Sequence, residues 1–271
     1  MRVHHINCGT MCPVGFELLR VQPKSQGMIV HVLVIETNDG LVLVDTGFGT
    51  EDIADPSHRL GRPFASMVRP KLTREETALA QIERLGFKAS DVRHIIPTHL
   101  DLDHVGGLPD FPHAKVHVHE PELSAALTRA TFHDKMRYRP QHFAHRPQWA
   151  TYQAGGEPWF GFECVRQLEG LPPEILLVPT TGHTRGHVAV AVETDGGFLL
   201  DAGDAYFHRG EMDPERARCP AVLELFQSNI AFDNHARLRN RERLRLLARE
   251  QSSIRIFCAH DPVEGSRFGI G

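Results

Sequence analysis

Thr98-His99-Leu100-Asp101-Leu102-Asp103-His104 puts four metal-ligating residues within six positions, between Pro97 and the pair Gly106-Gly107. Imidazole nitrogens and carboxylate oxygens are both ligands for divalent ions. On a loop leaving a strand, His99 and Asp101 project together, with Asp103 and His104 on the following turn. One rigid loop of this spacing serves two ions. Read alone, the stretch equally describes a polar loop with helix-capping aspartates, so the rest of the chain has to decide.

Four more polar loops follow predicted strands. Asp45-Thr46-Gly47 follows Leu41–Val44, and Thr180-Thr181-Gly182-His183-Thr184-Arg185-Gly186-His187 follows Leu176–Val178. Gly203-Asp204-Ala205-Tyr206 comes after Phe198–Leu200, and Ala259-His260-Asp261 after Ile254–Cys258. Ligand-bearing loops at the carboxyl ends of several strands are the mark of a site gathered along one edge of a scaffold.

The strands come from β-branched runs. Met28–Glu36 and Leu41–Asp45 are joined by Asn38-Asp39-Gly40, a hairpin signal. Further strands are expected at Val92–Pro97, Ala114–His119 and Val188–Glu193. Helices are expected over Thr73–Leu85 with a Thr73/Glu76 capping box, over Glu120–Leu127, and over Ala236–Arg249. Strands dominate each half without a steady alternation with helices, which suits two packed sheets with helices outside. No linker divides the chain, so one domain over 1–271 is expected. Residues 130–163 hold both tryptophans (Trp149, Trp159), Tyr138 and Tyr152 without clear periodicity. They read as an inserted lid or a dimer arm, with Trp149, Trp159, Phe132 and Tyr138 forming either an apolar substrate wall or a homodimer interface. His113, His117 and His119 alternate along one strand and read as an exposed face.

Composition narrows the function classes. The 271 residues are 41% apolar, enough for a large core, and a net charge of −4 offers no basic surface for nucleic acid. The start MRVHHINCGT lacks the build of a signal peptide, and no run reaches membrane-span length. Five scattered cysteines suit a reducing, cytoplasmic setting better than a disulfide framework. The 18 histidines are the unusual figure, and their placement in the loops above gives it meaning.

Taken together and in order, these motifs resemble the metallo-β-lactamase superfamily, from about Gly27 to Glu264. The resemblance implies an α+β fold, a four-layer αβ/βα sandwich with the site at one edge of two sheets. It carries the family's strand-ending aspartate onto Asp45, expected to orient a ligand histidine. It carries the His-x-His-x-Asp-His motif onto His99, Asp101, Asp103 and His104, and the later ligands onto His183, Asp204 and His260. Site one is then His99, Asp101 and His183; site two is Asp103, His104 and His260; Asp204 bridges them. The segments GHTRGH, GDAY and AHD look most like the N-acyl-homoserine lactone lactonase branch, in which a tyrosine just after the bridging aspartate assists the substrate carbonyl. Tyr206 is the matching candidate.

Asp101 departs from the family, which usually has histidine there. With two divalent ions, three aspartates and a bridging hydroxide the site becomes formally neutral, whereas a histidine would leave one positive charge. The added carboxylate raises the pKa of bound water and shifts preference from Zn towards Fe or Mn. The expected activity is hydrolysis of a lactone, ester or thioester by metal-bound hydroxide, with Asp103, Asp204 and Tyr206 as catalytic residues and a small molecule as substrate. A non-haem iron redox enzyme, such as a sulfur-type dioxygenase, is the rival reading. A non-catalytic binding protein on the same scaffold is the third.

Overall fold

Val30, Val32 and Val34 alternate with Leu33 and Ile35 along one strand, and the two sets enter different cores. This period-2 division builds the whole molecule, a computed structural model that describes residues 1–15, 27–155 and 158–270. The strands are β1 Arg2–Met11, β2 Met28–Thr37, β3 Gly40–Val44, β4 Val92–Ile96, β5 Lys115–His119, β6 Gln148–Tyr152, β7 Pro158–Trp159, β8 Phe162–Glu163, β9 Ile175–Pro179, β10 Val188–Thr194, β11 Gly197–Asp201 and β12 Ile254–Phe257. The α-helices are α1 Thr50–Ala54, α2 Pro56–Arg59, α3 Arg62–Val68, α4 Ala78–Arg84, α5 Leu102–Val105, α6 Glu120–Thr128, α7 Phe132–Arg137, α8 Ala221–Ile230, α9 Asn234–Glu250 and α10 Pro262–Ser266.

The first sheet has the order β1-β2-β3-β4-β5-β6, and the second β12-β11-β10-β9. Strands β3 to β6 run parallel, and so do β11 and β12. Leu33, Ile35, Val42, Val44 and Ile96 of the first sheet meet Ile175, Leu177, Val188, Val190, Val192 and Leu199 of the second in a central core. The opposite face of the first sheet packs on Val68, Ile82, Leu123 and Leu223 from α3, α4, α6 and α8. The opposite face of the second sheet, with Ala189, Ala191 and Leu200, is covered by Leu244 and Leu247 of α9. The layers therefore run helix, sheet, sheet, helix, as expected. Because strands buried on both faces read as continuous apolar runs, most of them were visible beforehand.

Two local expectations are corrected. The stretch Thr73–Leu85 is not one capped helix: a 3-10 turn spans Arg74–Glu76, and α4 starts four residues later, where the Thr77 hydroxyl accepts Ala80 N–H at 3.2 Å. Glu76 is drawn away to accept the Thr10 hydroxyl at 2.9 Å. His117 and His119 are buried rather than exposed, because β6 and α6 cover that end of β5. His117 bonds His94 and the Tyr152 hydroxyl at 2.8 Å each, while His119 Nδ1–H donates to Gly186 O at 3.0 Å. Within 130–163, β6 is the outer strand of the first sheet. Trp149 packs on Phe143, Trp159 is buried against Phe198, and the Tyr138 hydroxyl donates to Glu122.

Candidate metal centre

Parallel strands bring their carboxyl ends to one edge, and the loops there carry the site. The loop after β4 supplies His99 and Asp101, and α5 supplies Asp103 and His104. The loop after β9 supplies His183, the one after β11 Asp204, and the one after β12 His260. All seven converge, and the two oxygens of Asp204 divide between two clusters.

In the first cluster, Asp204 Oδ2 lies 3.7 Å from His99 Nε2 and 3.3 Å from His183 Nε2. Asp101 Oδ2 lies 3.4 and 3.1 Å from the same nitrogens. In the second, Asp204 Oδ1 lies 3.4 Å from His104 Nε2 and 3.1 Å from His260 Nε2, and Asp103 Oδ2 lies 4.0 and 3.7 Å from them. Four ligands held tetrahedrally at about 2.0–2.1 Å are separated by roughly 3.3–3.5 Å, so both clusters have the dimensions of a four-coordinate site. His99 Nε2, His104 Nε2 and Asp204 Oδ1 are buried without a hydrogen-bond partner. Buried polar atoms are seldom left so, and ions would satisfy all three. The donor set fits a pair of divalent metals.

Surrounding groups fix the rings. Asp45, at φ 61°, accepts from Thr98 N–H at 2.7 Å and the Thr98 hydroxyl at 2.9 Å, and its Oδ2 bonds His104 Nδ1 at 2.7 Å. The Thr98 oxygen is also 3.0 Å from His99 Nδ1, so Asp45 reaches both histidines. His260 Nδ1–H donates to Ile29 O at 2.8 Å. His187 accepts Asp204 N–H on Nε2 at 2.9 Å. Burial holds its imidazole well below the usual histidine range, so it stays neutral and able to accept.

Charge follows the same plan. Burial alone would raise Asp204 and Asp101. His260, His104 and His183 hold Asp204 well below the usual carboxylate range, and Arg137 and His99 do the same for Asp101. Both therefore present ionised oxygens. His104 is raised in spite of burial by Asp45, Asp204 and Asp103.

Tyr206 does not reach the site. It is fully buried in the core beneath α9, and its hydroxyl donates to Glu264 at 3.0 Å. Phe207 takes the position facing the ligand clusters, with its ring 4.9 Å from His260. A loop residue one place along points to the opposite side, so spacing alone could not choose between neighbours. Other participants had no local signature. Arg137 of α7 places Nη1 3.1 and 2.9 Å from the two oxygens of Asp101 and 3.2 Å from His183 Nε2. The buried Glu122 of α6 accepts Leu100 N–H and Gly186 N–H at 2.9 Å each, tying two ligand loops together. A further group of metal-ligating type, Glu211, Cys219 and Glu224, lies apart, with both glutamates paired to Arg241.

The clusters form the floor of a cavity of about 350 Å³. Its walls include Met67, Val68, Phe132, Met136, Phe207 and Phe226, so of the four aromatics read as either a substrate wall or a dimer interface Phe132 alone lines it.

Residues 26–260 match the metallo-beta-lactamase superfamily, and the chain belongs to that family as a metallo-hydrolase. It is 43% identical to a probable metallo-hydrolase of Mycobacterium tuberculosis over 97% of this chain and 81% of the relative. It is 25% identical to an N-acyl homoserine lactonase of Bacillus thuringiensis, covering 88% and 83% respectively. Its fold is similar to that of an N-acyl homoserine lactone hydrolase solved with the product N-hexanoyl-L-homoserine at its catalytic metal center (TM-score 0.71, 23% identity, 98% of this chain and 95% of that one).

Proposed function

We propose that the protein hydrolyses a small carbonyl substrate, a lactone before an ester or thioester, at a dinuclear metal centre held by His99, Asp101, Asp103, His104, His183, Asp204 and His260. The observation that carries this is the division of Asp204 between two four-donor clusters on the floor of a cavity with an apolar wall. Two divalent ions bound there supply Lewis acidity that polarises a carbonyl and acidifies water. The chain's own residues do the rest. The apolar wall takes the substrate's hydrocarbon part and keeps water off it. Asp103, more open to the cavity than Asp204 (13% against 4% side-chain exposure), carries a proton to the leaving oxygen. The lactonase relatives support the choice of a lactone. α7 supplies one wall of the cavity, while a homodimer contact through 130–163 and a cytoplasmic setting belong to the same proposal. No helix among the described residues is long and apolar enough to cross a membrane.

Asp101 favours a second reading. With His99 and His183 it makes a two-histidine, one-carboxylate set of the kind that holds non-haem iron. One experiment separates the two: metal-replete protein is assayed on lactones, aryl esters, thioesters, phosphodiesters and β-lactams, with elemental analysis alongside. Turnover of a lactone or ester with close to two ions per chain is expected. Preference for phosphodiesters, or oxygen consumption with a persulfide and no hydrolysis, would overturn the hydrolase reading.

A further inference from the structure

With Tyr206 turned away and Phe207 in its stead, the cavity lacks the hydroxyl expected to meet a developing oxyanion. Among the described residues lining it, the side-chain hydrogen-bond donors outside the ligand set are Arg137 and His133, and His133 is exposed at the rim. Arg137 is held at both ends. Nη2 donates to Ile230 O, and Nη1 donates to Asp101. The two oxygens of Asp101 have different neighbours: Oδ2 faces His99 and His183 and also lies 2.9 Å from Nη1, while Oδ1 lies 3.1 Å from Nη1 and faces neither histidine. Nη1 also lies 3.2 Å from His183 Nε2. When an ion takes that lone pair, an N–H of Arg137 loses its acceptor while the side chain keeps Asp101 Oδ1 and Ile230 O. A donor is then left free beside site one, on the cavity side, with a full positive charge behind it. The same charge offsets the carboxylate that Asp101 adds.

We propose that Arg137 binds the substrate's carbonyl oxygen and the carboxylate of the product, and that Asp101 and Arg137 form one unit: a carboxylate for the metal and a cation for the reacting oxygen. This rests on the hydrolase reading. A planar, always-charged guanidinium pre-oriented by two acceptors suits an oxygen that gains charge during reaction.

The test is calorimetric titration of metal-loaded wild type, Arg137→Met and Arg137→Lys with acetate, a minimal carboxylate probe, with metal content measured on each sample. Arg137→Met should bind acetate at least about tenfold more weakly, Arg137→Lys should fall between, and all three should keep the same metal content. Acetate affinity within twofold of wild type in Arg137→Met, or no acetate binding by wild type, would overturn the proposal. So would loss of metal from Arg137→Met, which would make the residue a prop for Asp101. If Arg137→Met does not fold, Arg137→Lys carries the same comparison. Because acetate binding needs no turnover, a failed hydrolase reading would show separately, as Arg137-dependent acetate binding in a protein inert to every carbonyl substrate. If a substrate is in hand, Arg137→Met should lower kcat more than it raises KM.

Discussion

Asp45 carries an acceptor task and a backbone cost at once. Its φ of 61° lies in the left-handed region, which asparagine and aspartate tolerate better than most residues. Its carboxylate holds Thr98 and His104. Asp45→Asn keeps the backbone preference and replaces one oxygen by a donor, which the His104 Nδ1–H cannot use. Metal affinity should fall about 10- to 100-fold, the usual cost of losing such a partner, and a chelator competition would read it. Unchanged affinity would show that His104 needs no orienting. Glu264 offers a second test at this scale. Burial pushes its carboxyl from 4.5 up to about 7, although Cys258 N–H and the Tyr206 hydroxyl both donate to it. The folded chain keeps this proton to higher pH than the unfolded chain. Its contribution to stability is therefore complete below pH 4.5 and lost as pH rises through about 7. Glu264→Gln has no proton to lose, so denaturant midpoints measured from pH 5 to 8 should shift in the variant's favour as pH rises. Parallel curves would place the Glu264 pKa elsewhere.

Elements account for what could and could not be seen in advance. The ligands on loops after β4, β9, β11 and β12 were legible because each sits within a few residues of an apolar run that announces its strand. The ten-residue strand β1 was not foreseen: His4, His5 and Asn7 break its pattern, and it is held by stacking of His5 on Phe268 and by bulged pairing with β2. Arg137 meets Asp101 only because α7 packs across the mouth of the site, 36 residues further along, and no local spacing encodes that. Glu122 was hidden for the same reason. It lies on α6, yet it holds one loop from each sheet through Leu100 N–H and Gly186 N–H. Glu122→Ala leaves three buried donors unpaired, Leu100 N–H, Gly186 N–H and the Tyr138 hydroxyl, at about 1–3 kcal/mol each. The variant should lose metal affinity and melt well below wild type, whereas the same change at the exposed Glu120 should do neither. Thermal melts of the metal-free and loaded forms distinguish loss of the staple from general destabilisation.

At the scale of the molecule, the shared carboxylate would make two ions, bound as proposed, answer to one another. Asp204 turns one oxygen to each pair of histidines, and its own peptide is held by His187. The first ion to arrive draws on that charge and leaves the second a poorer ligand together with a like-charged neighbour, and by linkage the effect is mutual. Uptake should therefore be anticooperative. Titrating metal-free protein and counting species by native mass spectrometry should show a singly loaded form above the fraction that independent sites allow, and an empty-or-full distribution would contradict it. Where the ion is scarce the protein would then stand half filled, and completing it would take a larger rise in the ion than two independent sites need.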